Sequence, residues 1–570
     1  MCRGTTFAAW QAVCLRQLLA VEDVQPSLLI IEEEDAEPPS VWGRIRRVFP
    51  GATTFWTLYE RFGLKSSGAL GVVDLAQMFS SVPRLRCRVF RKGYSEYFSE
   101  EDLARVRGHD LDFILRFAFG ILRGGILTAA RYGVWSFHHG DEQKYRGVPP
   151  CFWEIYRGDP VTGAILQRVT ERLDAGVVLH KGFLRTRNTS YRRHRDAAYF
   201  ASAAWPARVC KDLRNGVAAY LDGPPSQTTA PILRRPTNIQ VLAFGVRILR
   251  ARVAELLRDL FQADHWNVGL IRRPIRSLLT DVGTPDVSWL PELPRGQYIA
   301  DPFGVSRDGE RRILVEHYDY RRNEGRVAVV EAWTNGAVAE PTVALRLGGH
   351  ASYPCLFEDR DEIYCVPETI GSRRVSLYRA LRFPEAWVEE ACLVSDFAAA
   401  DPTIFRYGDR WWLLCVNHDR DDDTLFAWYA GDLRGPWSPH AANPLKTDPR
   451  CSRPAGRPFV VDGQLYRPAM DNSRTYGGAL AINRVRRLTP VEFDEEVVRI
   501  VPPFTGTRYA KGVHTLSAWG EWTLVDGKST YFHWASFRRA LRARMPPLLR
   551  MMGLRLLALA AAFAAAASRA

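Results

Sequence analysis

Apolar and polar positions in the first part of the chain follow two spacings. One is the helical spacing of three to four residues, and the other is the short apolar run that is typical of a buried strand. The predicted helices are 7–21, 100–106 and 199–213, and the predicted strands are 27–31, 85–90, 111–121 and 177–184. Strands that alternate with helices predict an α/β fold with a doubly wound, Rossmann-like sheet.

The start of this pattern is unusual. A doubly wound domain opens with a strand, but only six residues precede the first predicted helix at Phe7. Loss of a central strand would leave the sheet with an exposed edge. We therefore favour a truncated first strand, with the true start codon further upstream, over a fold that lacks this strand.

A different pattern begins near Trp266, where short aromatic strands alternate with turns. The repeating segments start at Pro302, Pro354, Pro402 and Pro458. Their spacings are 52, 48 and 56 residues, and a weaker fifth copy covers 514–525. Five copies of about 50 residues, with two visible strands each, predict an all-β five-bladed propeller.

These patterns divide the chain into four parts. We predict an α/β domain at 1–222, a linker and bridging helix at 223–265, a propeller at 266–535 and a basic, Ala/Leu-rich tail at 536–570. The linker is predicted from the Pro, Gly and polar residues of 223–236, and the helix from apolar spacing over 239–261.

The tail contains twelve consecutive apolar residues at 556–567, preceded by Arg542, Arg544, Arg550 and Arg555. A helix needs about 20 apolar residues to span a bilayer. A low-complexity helix without function is therefore favoured over a helix that contacts a membrane surface.

Composition limits the class of protein. A chain of 570 residues holds at least two domains, and 46% apolar with 25% charged residues is ordinary for a globular protein. The net charge is +14, from 77 Lys and Arg against 63 Asp and Glu. Arginines are spread along the whole chain and no basic, aromatic-studded module stands out, so we expect no nucleic-acid partner.

Cysteine usage and the N-terminal sequence indicate in which cellular compartment the protein is found. Ten cysteines in a chain of this length do not make a disulfide scaffold, and none forms a C-x-x-C pair, so we expect no metal site. The N-terminus lacks the basic and apolar segments of a secretion signal. We predict a cytoplasmic protein.

Candidate chemistry is concentrated at 132–176, directly after the predicted strand 111–121. The motifs in order are His138-His139, Arg146-Gly147, Thr162-Gly163 and Leu173-Asp174-x-Gly176. A polar loop rich in His, Arg and Gly after a buried strand is where an α/β sheet usually carries its active site.

The order of these motifs resembles that of the folate-dependent formyltransferases, such as methionyl-tRNA formyltransferase and glycinamide ribonucleotide formyltransferase. That family carries Asn-x-His after a strand, then Arg-Gly, Thr-Gly and Leu-Asp-x-Gly. In this chain His138 stands at the family's catalytic His, Ser136 at its Asn and Gly140 at its following Ser. The resemblance covers about residues 1–222 and is specific in the central part.

The resemblance implies that a formyl group passes from 10-formyltetrahydrofolate, the co-substrate, to an amine. His138 would polarise the formyl carbonyl or move the proton, and Asp174 would hold His138 or a water and accept the proton. Arg146 and Gly147, with His139, would contact the substrate, and a phosphate or acidic group of the acceptor would rest there. The backbone facing the pterin would be that of Phe117, Ala118, Phe119 and Gly120.

Ser136 is the main departure from the family pattern. Asn offers an N–H pair to an oxyanion, whereas Ser offers one rotatable hydroxyl, and loss of one such donor costs roughly 10²–10³ in rate. His139 is a substitute donor, although a structural role is favoured for it. Three outcomes remain: an active site with altered geometry, which is favoured, transfer of another acyl group, and binding without catalysis.

The second half resembles the propeller of glycoside hydrolase family 43 and the N-terminal region of plant glucosamine inositolphosphorylceramide transferase, over about 266–535. The resemblance rests on Ala-Asp-Pro at 300–302 and 400–402 and on Val-Pro-Glu at 366–368. Propeller hydrolases place paired acid and base carboxyls at inner strand ends. The predicted pocket residues are Asp301, Glu316, Glu368, Asp401 and His514. Sugar or glycolipid binding is favoured there over a scaffold role and over hydrolysis.

The sequence thus predicts a formyltransferase whose acceptor is an amine, and the carbohydrate-type propeller suggests an amino sugar or a sugar conjugate by association alone. The alternative is a carbohydrate-active or carbohydrate-binding propeller protein with a catalytically altered first domain. A pure interaction scaffold is the third interpretation. The sequence identifies neither the acceptor nor the oligomeric state.

Overall fold

The computed structural model describes residues 1–33, 51–280, 283, 285–307, 310–331, 340–420 and 423–544. The apolar run 556–567, on which the interpretation of the tail rests, lies outside the described residues, as do Arg550 and Arg555. In the described part of the chain, no helix is both long and apolar enough to cross a membrane. All ten cysteines are described, and each has a free thiol.

The first part of the chain contains helices and short strands in alternation. Its helices are Thr54–Leu58, Glu100–Arg107, Phe152–Arg157, Tyr191–Ser202 and Trp205–Arg214, together with Ala9–Leu19 near the start. The shorter strands are Thr6–Ala8, Val72–Asp74, Val89–Lys92, Ser95–Phe98, Ile121–Leu122, Arg146–Gly147 and Ile232–Leu233. The remaining strands form a two-stranded sheet and a four-stranded sheet.

The main sheet of this part has four strands in the order Val177–Arg185, Val161–Arg168, Val134–His138, Ile114–Arg116. The last two are parallel, whereas Val161–Arg168 is antiparallel to both of its neighbours. The short turn at 169–176 allows only an antiparallel return. This mixed sheet is α/β in character, but it does not establish the predicted doubly wound, Rossmann-like arrangement.

Residues 1–2 lie between the two-stranded and the four-stranded sheet. The α-amino group of Met1 donates to Leu115 O at 2.8 Å, and Cys2 forms a parallel bridge with Ile31. Ile31 belongs to Leu29–Glu32, which pairs in parallel with Arg84–Cys87. Two residues therefore connect these two strands to the four-stranded sheet.

Two predicted elements are each divided in two. The predicted strand 111–121 is interrupted after Ile114–Arg116, because Phe119 has a φ of 68° and turns the chain before Ile121–Leu122. The predicted helix 199–213 is the end of Tyr191–Ser202 followed by Trp205–Arg214, whose first turn contains Pro206.

The long helix Asn238–Phe261 leads into the second part of the chain. Its N-terminus is capped by Thr237, which accepts from Gln240 N while the Gln240 side chain accepts from Thr237 N. Phe244 is buried and stacks on Phe152 at 4.4 Å between ring centroids. The inner face of the helix is thus attached to the first part of the chain.

The described residues of the second part form five antiparallel sheets, four with four strands and one with five, numbered here 1 to 5. Sheet 1 is Gln297–Arg307, Glu310–Asp319, Glu324–Glu331 and Thr342–Leu345, and sheet 2 is Ser352–Asp359, Glu362–Glu368, Arg374–Arg382 and Ala386–Ser395. Sheet 3 is Ala399–Tyr407, Arg410–Asn417, Thr424–Ala430 and Ser438–Pro439, with Lys446–Thr447 added beside the third strand. Sheet 4 is Phe459–Val461, Gln464–Asp471, Ala479–Leu488 and Phe493–Val501, and sheet 5 is Ser288–Trp289, Ala263–Ile271, Trp522–Tyr531 and Leu516–Trp519. A last helix, Trp534–Arg544, follows sheet 5.

The number of sheets equals the number of sequence repeats, and sheet 5 joins the first long strand of this part to its last. The first strands of sheets 1, 2 and 3 share one irregularity. Asp301, Tyr353 and Asp401 have φ values of 51°, 43° and 51°, and the pairing register skips at each of them. These bulges redirect the side chains at equivalent points of three sheets.

Candidate functional sites

His138 is the last residue of the strand Val134–His138, and it lies beside Asp174. Its Nε2 is 2.7 Å from Tyr145 O, and its Nδ1 is 3.5 Å from Asp174 Oδ2. A carbonyl oxygen can only accept, so Nε2 carries a proton and Nδ1 faces the carboxylate. The imidazole and the carboxylate that the motif separates by 36 residues therefore meet in one place.

Asp174 is held in place by the backbone around it. Its Oδ2 accepts from Gly147 N at 2.9 Å, and its φ is 47°. Arg146 donates to Leu173 O from Nε at 3.0 Å and from Nη2 at 2.5 Å, and to Ala230 O at 3.2 Å. Arg146 is buried, and its cation fastens the turn that carries Asp174 instead of facing an acceptor phosphate as predicted.

The glycines of the motifs have a steric role. A Cβ on Gly147, whose φ is 92°, would lie 2.2 Å from Leu233 O. A Cβ on Gly163 would lie 2.8 Å from Asp141 Cβ, and one on Gly176 would lie 2.1 Å from Arg168 O. The motif glycines thus allow backbone segments to approach each other closely around Asp174.

Ser136 lies two residues before His138 on the same face of the strand. Its Oγ accepts from Arg116 Nε at 3.1 Å and Nη2 at 2.8 Å, and Arg116 is opposite Ser136 in the parallel register. The hydroxyl itself donates to Phe137 O at 3.4 Å, and acceptance from a cation strengthens it as a donor. Arg116 was not recognised from the sequence, since the pairing that brings it to Ser136 is a property of the sheet.

His139 points away from this site, in contrast to its predicted role in contacting substrate. Its Nε2 is 2.9 Å from Ser202 Oγ, and its ring is stacked with Phe137 and packed against Tyr199. Burial lowers the pKa of His139 to about 3, so the ring is neutral. It is a core residue on the opposite side of the strand.

The segment predicted to face the pterin is already hydrogen bonded within the chain. Phe117 N and Ala118 N donate to Met1 O, and Gly120 N donates to Glu96 Oε2 at 2.5 Å. The carbonyl oxygens of Phe119 and Gly120 accept from Arg116. The N–H groups of Phe117, Ala118 and Gly120 are thus engaged within the chain, and contact of this backbone with a pterin stays a prediction.

The five predicted pocket residues of the second part lie in one buried group, which we call the central cluster. It contains Asp301, Glu316, Glu368, Asp401 and His514, with Arg453 and Asp526 in addition. Asp401 N donates to Glu368 Oε2 at 2.8 Å, and Arg453 Nε donates to Asp401 Oδ2 at 2.5 Å. His514 lies 3.6 Å from Asp301 Oδ1 and 2.5 Å from Asp526 Oδ2.

Burial of several carboxyls together determines the charges in the cluster. Burial raises the pKa of Glu316, and the neighbouring charges of Asp301 and Glu368 raise it further. Burial also raises the pKa of Asp401, although Arg453 opposes this shift. For His514, Asp526 and Asp301 outweigh the effect of burial and raise its pKa, so the imidazolium is favoured. The cluster therefore combines the protonated carboxyl of Glu316 with carboxylates that pair with Arg453 and His514.

Arg453 and Asp526 were missed in the sequence analysis. The fourth repeat was aligned on Pro458, but Arg453-Pro454 is the step whose side chain reaches the cluster. Arg453 follows Asp401 by 52 residues, the same interval that separates Asp301 from Tyr353. The equal interval of 52 residues could have identified Arg453, but the Arg457-Pro458 step lies close by and was aligned in its place.

The described residues bring together one group with metal-ligand geometry, although no metal was predicted. The donor atoms of Asp301, His514 and Asp526 all lie within 4.8 Å of one another. However, the Nδ1 of His514 is engaged with Asp526 at 2.5 Å, and Thr515 Oγ1 donates to Asp301 Oδ1 at 2.7 Å. These contacts explain the arrangement as an ion pair of His514 with Asp526 beside a hydrogen bond from Thr515 to Asp301.

A cavity of about 1300 Å³ lies between the two parts of the chain. Arg185, Arg193 and Lys211 line it from the first part, and Lys446 and Arg474 line it from the second. Neither the residues around His138 nor the central cluster line this cavity.

Residues 292–517 match the family model described as glucosamine inositolphosphorylceramide transferase 1, N-terminal. The protein of that name from Oryza sativa subsp. japonica is 30% identical over 234 residues, which are 40% of this chain and 31% of the relative. The Arabidopsis thaliana protein is 29% identical over 222 residues, or 38% and 28% of the two chains.

A second group of relatives is shorter in extent. Methionyl-tRNA formyltransferase from Prochlorococcus marinus is 37% identical over 82 residues, which are 14% of this chain and 24% of the relative. This chain therefore spans about a third of the length of the plant relatives and about a quarter of the formyltransferase. The names of both groups describe transferases.

Solved structures with a similar strand-rich part are glycoside hydrolases. A family GH43 β-1,3-galactosidase aligns at a TM-score of 0.31 and 14% identity, over 39% of this chain and 54% of that one. A family 117 glycoside hydrolase from Zobellia galactanivorans aligns at a TM-score of 0.31 and 12% identity, over 50% and 99% of the two chains. The chain is thus similar over part of its length to transferases in sequence, and glycoside hydrolases are among its structural neighbours.

Proposed function

We propose that this protein is a transferase that moves the formyl group of 10-formyltetrahydrofolate to an amine, with an amino sugar or a sugar conjugate as acceptor. The observation that carries the proposal is the pairing of His138 Nδ1 with Asp174 Oδ2 at 3.5 Å, beside the hydroxyl of Ser136. The match of 292–517 to the N-terminal family of a glucosamine-named transferase supports the choice of acceptor by association.

The proposed reaction uses three groups of the chain. The acceptor amine attacks the formyl carbon, and the carbonyl oxygen becomes an oxyanion that the Ser136 hydroxyl stabilises. Nδ1 of His138 accepts the proton that the amine loses, and the nearby carboxylate of Asp174 stabilises the imidazolium. The C–N bond to tetrahydrofolate then breaks, and the proton returns to the departing nitrogen.

Arg116 has a positioning role in this proposal. Its two N–H groups fix the Ser136 oxygen, and its Nη1 also donates to Phe119 O at 3.4 Å. The serine hydroxyl is therefore oriented by a cation, which compensates for the amide that stands at this position in the formyltransferase family.

The test is release of tetrahydrofolate by the full chain, supplied with 10-formyltetrahydrofolate and a panel of amino sugars. We expect release with at least one acceptor, a loss of at least a hundredfold in His138→Asn and Asp174→Asn, and unchanged release in His109→Asn, which changes an exposed histidine. Absence of release with every amine, or equal release by the His138 variant, would contradict the proposal.

The second candidate is a carbohydrate-binding propeller whose first domain has altered catalysis. Five buried carboxyls around Arg453 and His514 favour it, because sugar hydroxyls bind well to such acceptors. Calorimetric titration with a glycan panel tests this candidate. Glu316→Ala, which removes the carboxyl group altogether, should weaken binding at least tenfold, and Glu521→Ala, which removes an exposed carboxylate, should not. Equal affinity in both variants would reject it.

A further inference from the structure

The helix Asn238–Phe261 has one face that no part of the described chain covers. Its inner face, with Phe244, Val241 and Ile248, packs against the core around Phe152. On the outer face, Ile239 is 79% exposed and Leu249 is 61% exposed. The other exposed apolar residues of this face are Leu242, Val246, Val253, Leu256 and Leu257, whereas Phe261 at the end of the helix packs against Phe532 and Phe537. A contiguous apolar face of this length marks an interaction site.

The outer face has a heptad repeat. The spacing alternates between three and four residues from Ile239 to Leu260. The first position of each heptad is occupied by Ile239, Val246 and Val253, and the fourth by Leu242, Leu249 and Leu256. β-Branched residues at the first position with Leu at the fourth favour a parallel, two-stranded coiled coil.

We propose that two copies of this chain associate through Asn238–Phe261 as a parallel two-stranded coiled coil. The interface uses the same face of both copies, so it closes on itself and stops at a dimer. The proposal is independent of the transferase chemistry, because neither His138 nor the central cluster contributes to it.

The flanking charges agree with a parallel pair. In this arrangement Gly245 lies opposite Arg250 of the second copy, and Arg252 lies opposite Leu257, so no like charges meet. A Cβ on Gly245 would have open space around it, so room for the Arg250 stem exists.

A membrane surface fits the face less well. An interfacial helix has a wide apolar face bordered by free cations, whereas this stripe is narrow and follows a period of 3.5 residues. Of the flanking charges, Arg252 donates to Thr189 O at 2.7 Å, and Asp259 pairs with Arg544 at 2.5 Å. These two charges already serve contacts within the chain.

The first test is the mass of the full chain by light scattering at micromolar concentration. We expect the mass of two chains of 64.6 kDa, and of one chain in Leu249→Glu with an unchanged Tm. Leu381→Glu is the matched control, because Leu381 is 64% exposed on sheet 2, and this variant should remain dimeric. A monomeric wild type, or a dimeric Leu249→Glu, would overturn the proposal.

Orientation is tested by oxidation of Val246→Cys in a Cys392→Ser background, which removes the exposed native thiol. A parallel pair brings the two introduced sulfurs together, so we expect at least half of the chains to form a disulfide-linked dimer. Failure to cross-link would overturn the parallel arrangement. Flotation of a monomeric wild type with phosphatidylserine vesicles, lost in Leu249→Glu, would assign the face to a membrane instead.

Discussion

At the scale of single residues, the proposed site around His138 has the guanidinium of Arg116 beside Ser136, as a partial substitute for the side-chain amide of the family's Asn. Ser136 offers one hydroxyl where the formyltransferase family has an amide, and Arg116 donates to the same oxygen from two nitrogens. The hydroxyl in turn donates to Phe137 O at 3.4 Å, a long contact that the oxyanion of the proposed reaction would replace.

This geometry predicts a graded response at Ser136. Ser136→Ala should lower kcat/KM for formyl transfer by roughly 10²–10³, because one oxyanion donor is lost. Ser136→Asn should retain most activity, since an amide restores the donor. Steady-state kinetics with a Tm for each variant measures this, and an Ala variant as active as wild type would show that Ser136 does not stabilise the oxyanion.

Glu154 predicts a dependence of stability on pH. It is 1% exposed on Phe152–Arg157, its Oε1 has no hydrogen-bond partner among the described residues, and burial raises its pKa from 4.5 to about 8. The folded chain therefore holds a proton that the unfolded chain releases above pH 4.5. Stability relative to Glu154→Gln falls by up to about 1.4 kcal/mol per pH unit as the pH rises from 4.5 to 8.

Urea unfolding of wild type and Glu154→Gln at pH 5, 6 and 7 measures this difference. The unfolding free energy of Glu154→Gln should rise relative to that of the wild type at each higher pH. The unfolding free energy of Glu521→Gln should change with pH in the same way as that of the wild type. A constant difference between Glu154→Gln and wild type would mean that Glu154 is ionised in the folded chain.

Sequence patterns located some of these residues and not others, for physical reasons. His138 and Asp174 lie in motifs whose order is local and readable. Arg116 reaches Ser136 only through the pairing of two strands, which no local spacing encodes. The direction of the Arg146 side chain was also not readable, because a buried arginine that binds carbonyls has the same sequence signature as an exposed one.

At the scale of elements, the turn 173–176 and the strand Arg146–Gly147 hold Asp174 by close backbone approach. The strand runs parallel to Ile232–Leu233, and Gly147 touches Leu233 there. The spacing of apolar residues predicted the helices 7–21, 100–106 and 239–261 within two residues at each end, but it missed the short helices Thr54–Leu58 and Phe152–Arg157. It also missed the break at Phe119, where a positive φ is a tertiary requirement.

Gly147→Ala should destabilise the chain by more than its backbone strain alone. The matched control is Gly506→Ala, which also has a positive φ, 83° against 92°, but has no atom within 4 Å of the added Cβ. The control should lose about 1–2 kcal/mol from left-handed strain, and Gly147→Ala should lose more and also lose formyl transfer. Equal losses of unfolding free energy in the two variants would show that the close approach of Leu233 to Gly147 has no effect on stability.

At the scale of the whole molecule, the central cluster ties sheets together through charge. Arg453 precedes sheet 4 and reaches Asp401 of sheet 3, and its Nη2 is 3.9 Å from Glu368 of sheet 2. One cation therefore stabilises carboxyls that come from two other sheets.

Arg453→Met should cost about 3–5 kcal/mol of unfolding free energy, because it leaves buried carboxylates without their cation. The double variant with Asp401→Asn should recover part of this loss, since one of the anions is then neutral. Urea unfolding of both variants measures the effect. A loss below about 1 kcal/mol in the single variant would show that these carboxyls are protonated and do not need Arg453.

Contacts between the two parts are formed by the helix Trp205–Arg214. Arg208 donates to Ala442 O and to Pro444 O, the latter at 3.1 Å, while its Nε holds Asp212 at 2.8 Å. Arg450 also lies over the Phe183 ring at 4.1 Å. These contacts were not predictable, because the linker composition of 223–236 carries no information on docking.

Sheet 5 has a consequence for how the chain is made. Its strands Ala263–Ile271 and Trp522–Tyr531 are paired along nine residues, yet about 250 residues separate them in the chain. At 5–20 residues per second, a ribosome needs roughly 10–50 s to translate that interval. Throughout this time the emerged strand has an open edge, and Asp301 cannot yet meet Asp526. We expect chaperones that bind unpaired β-strands to bind the nascent chain during this interval.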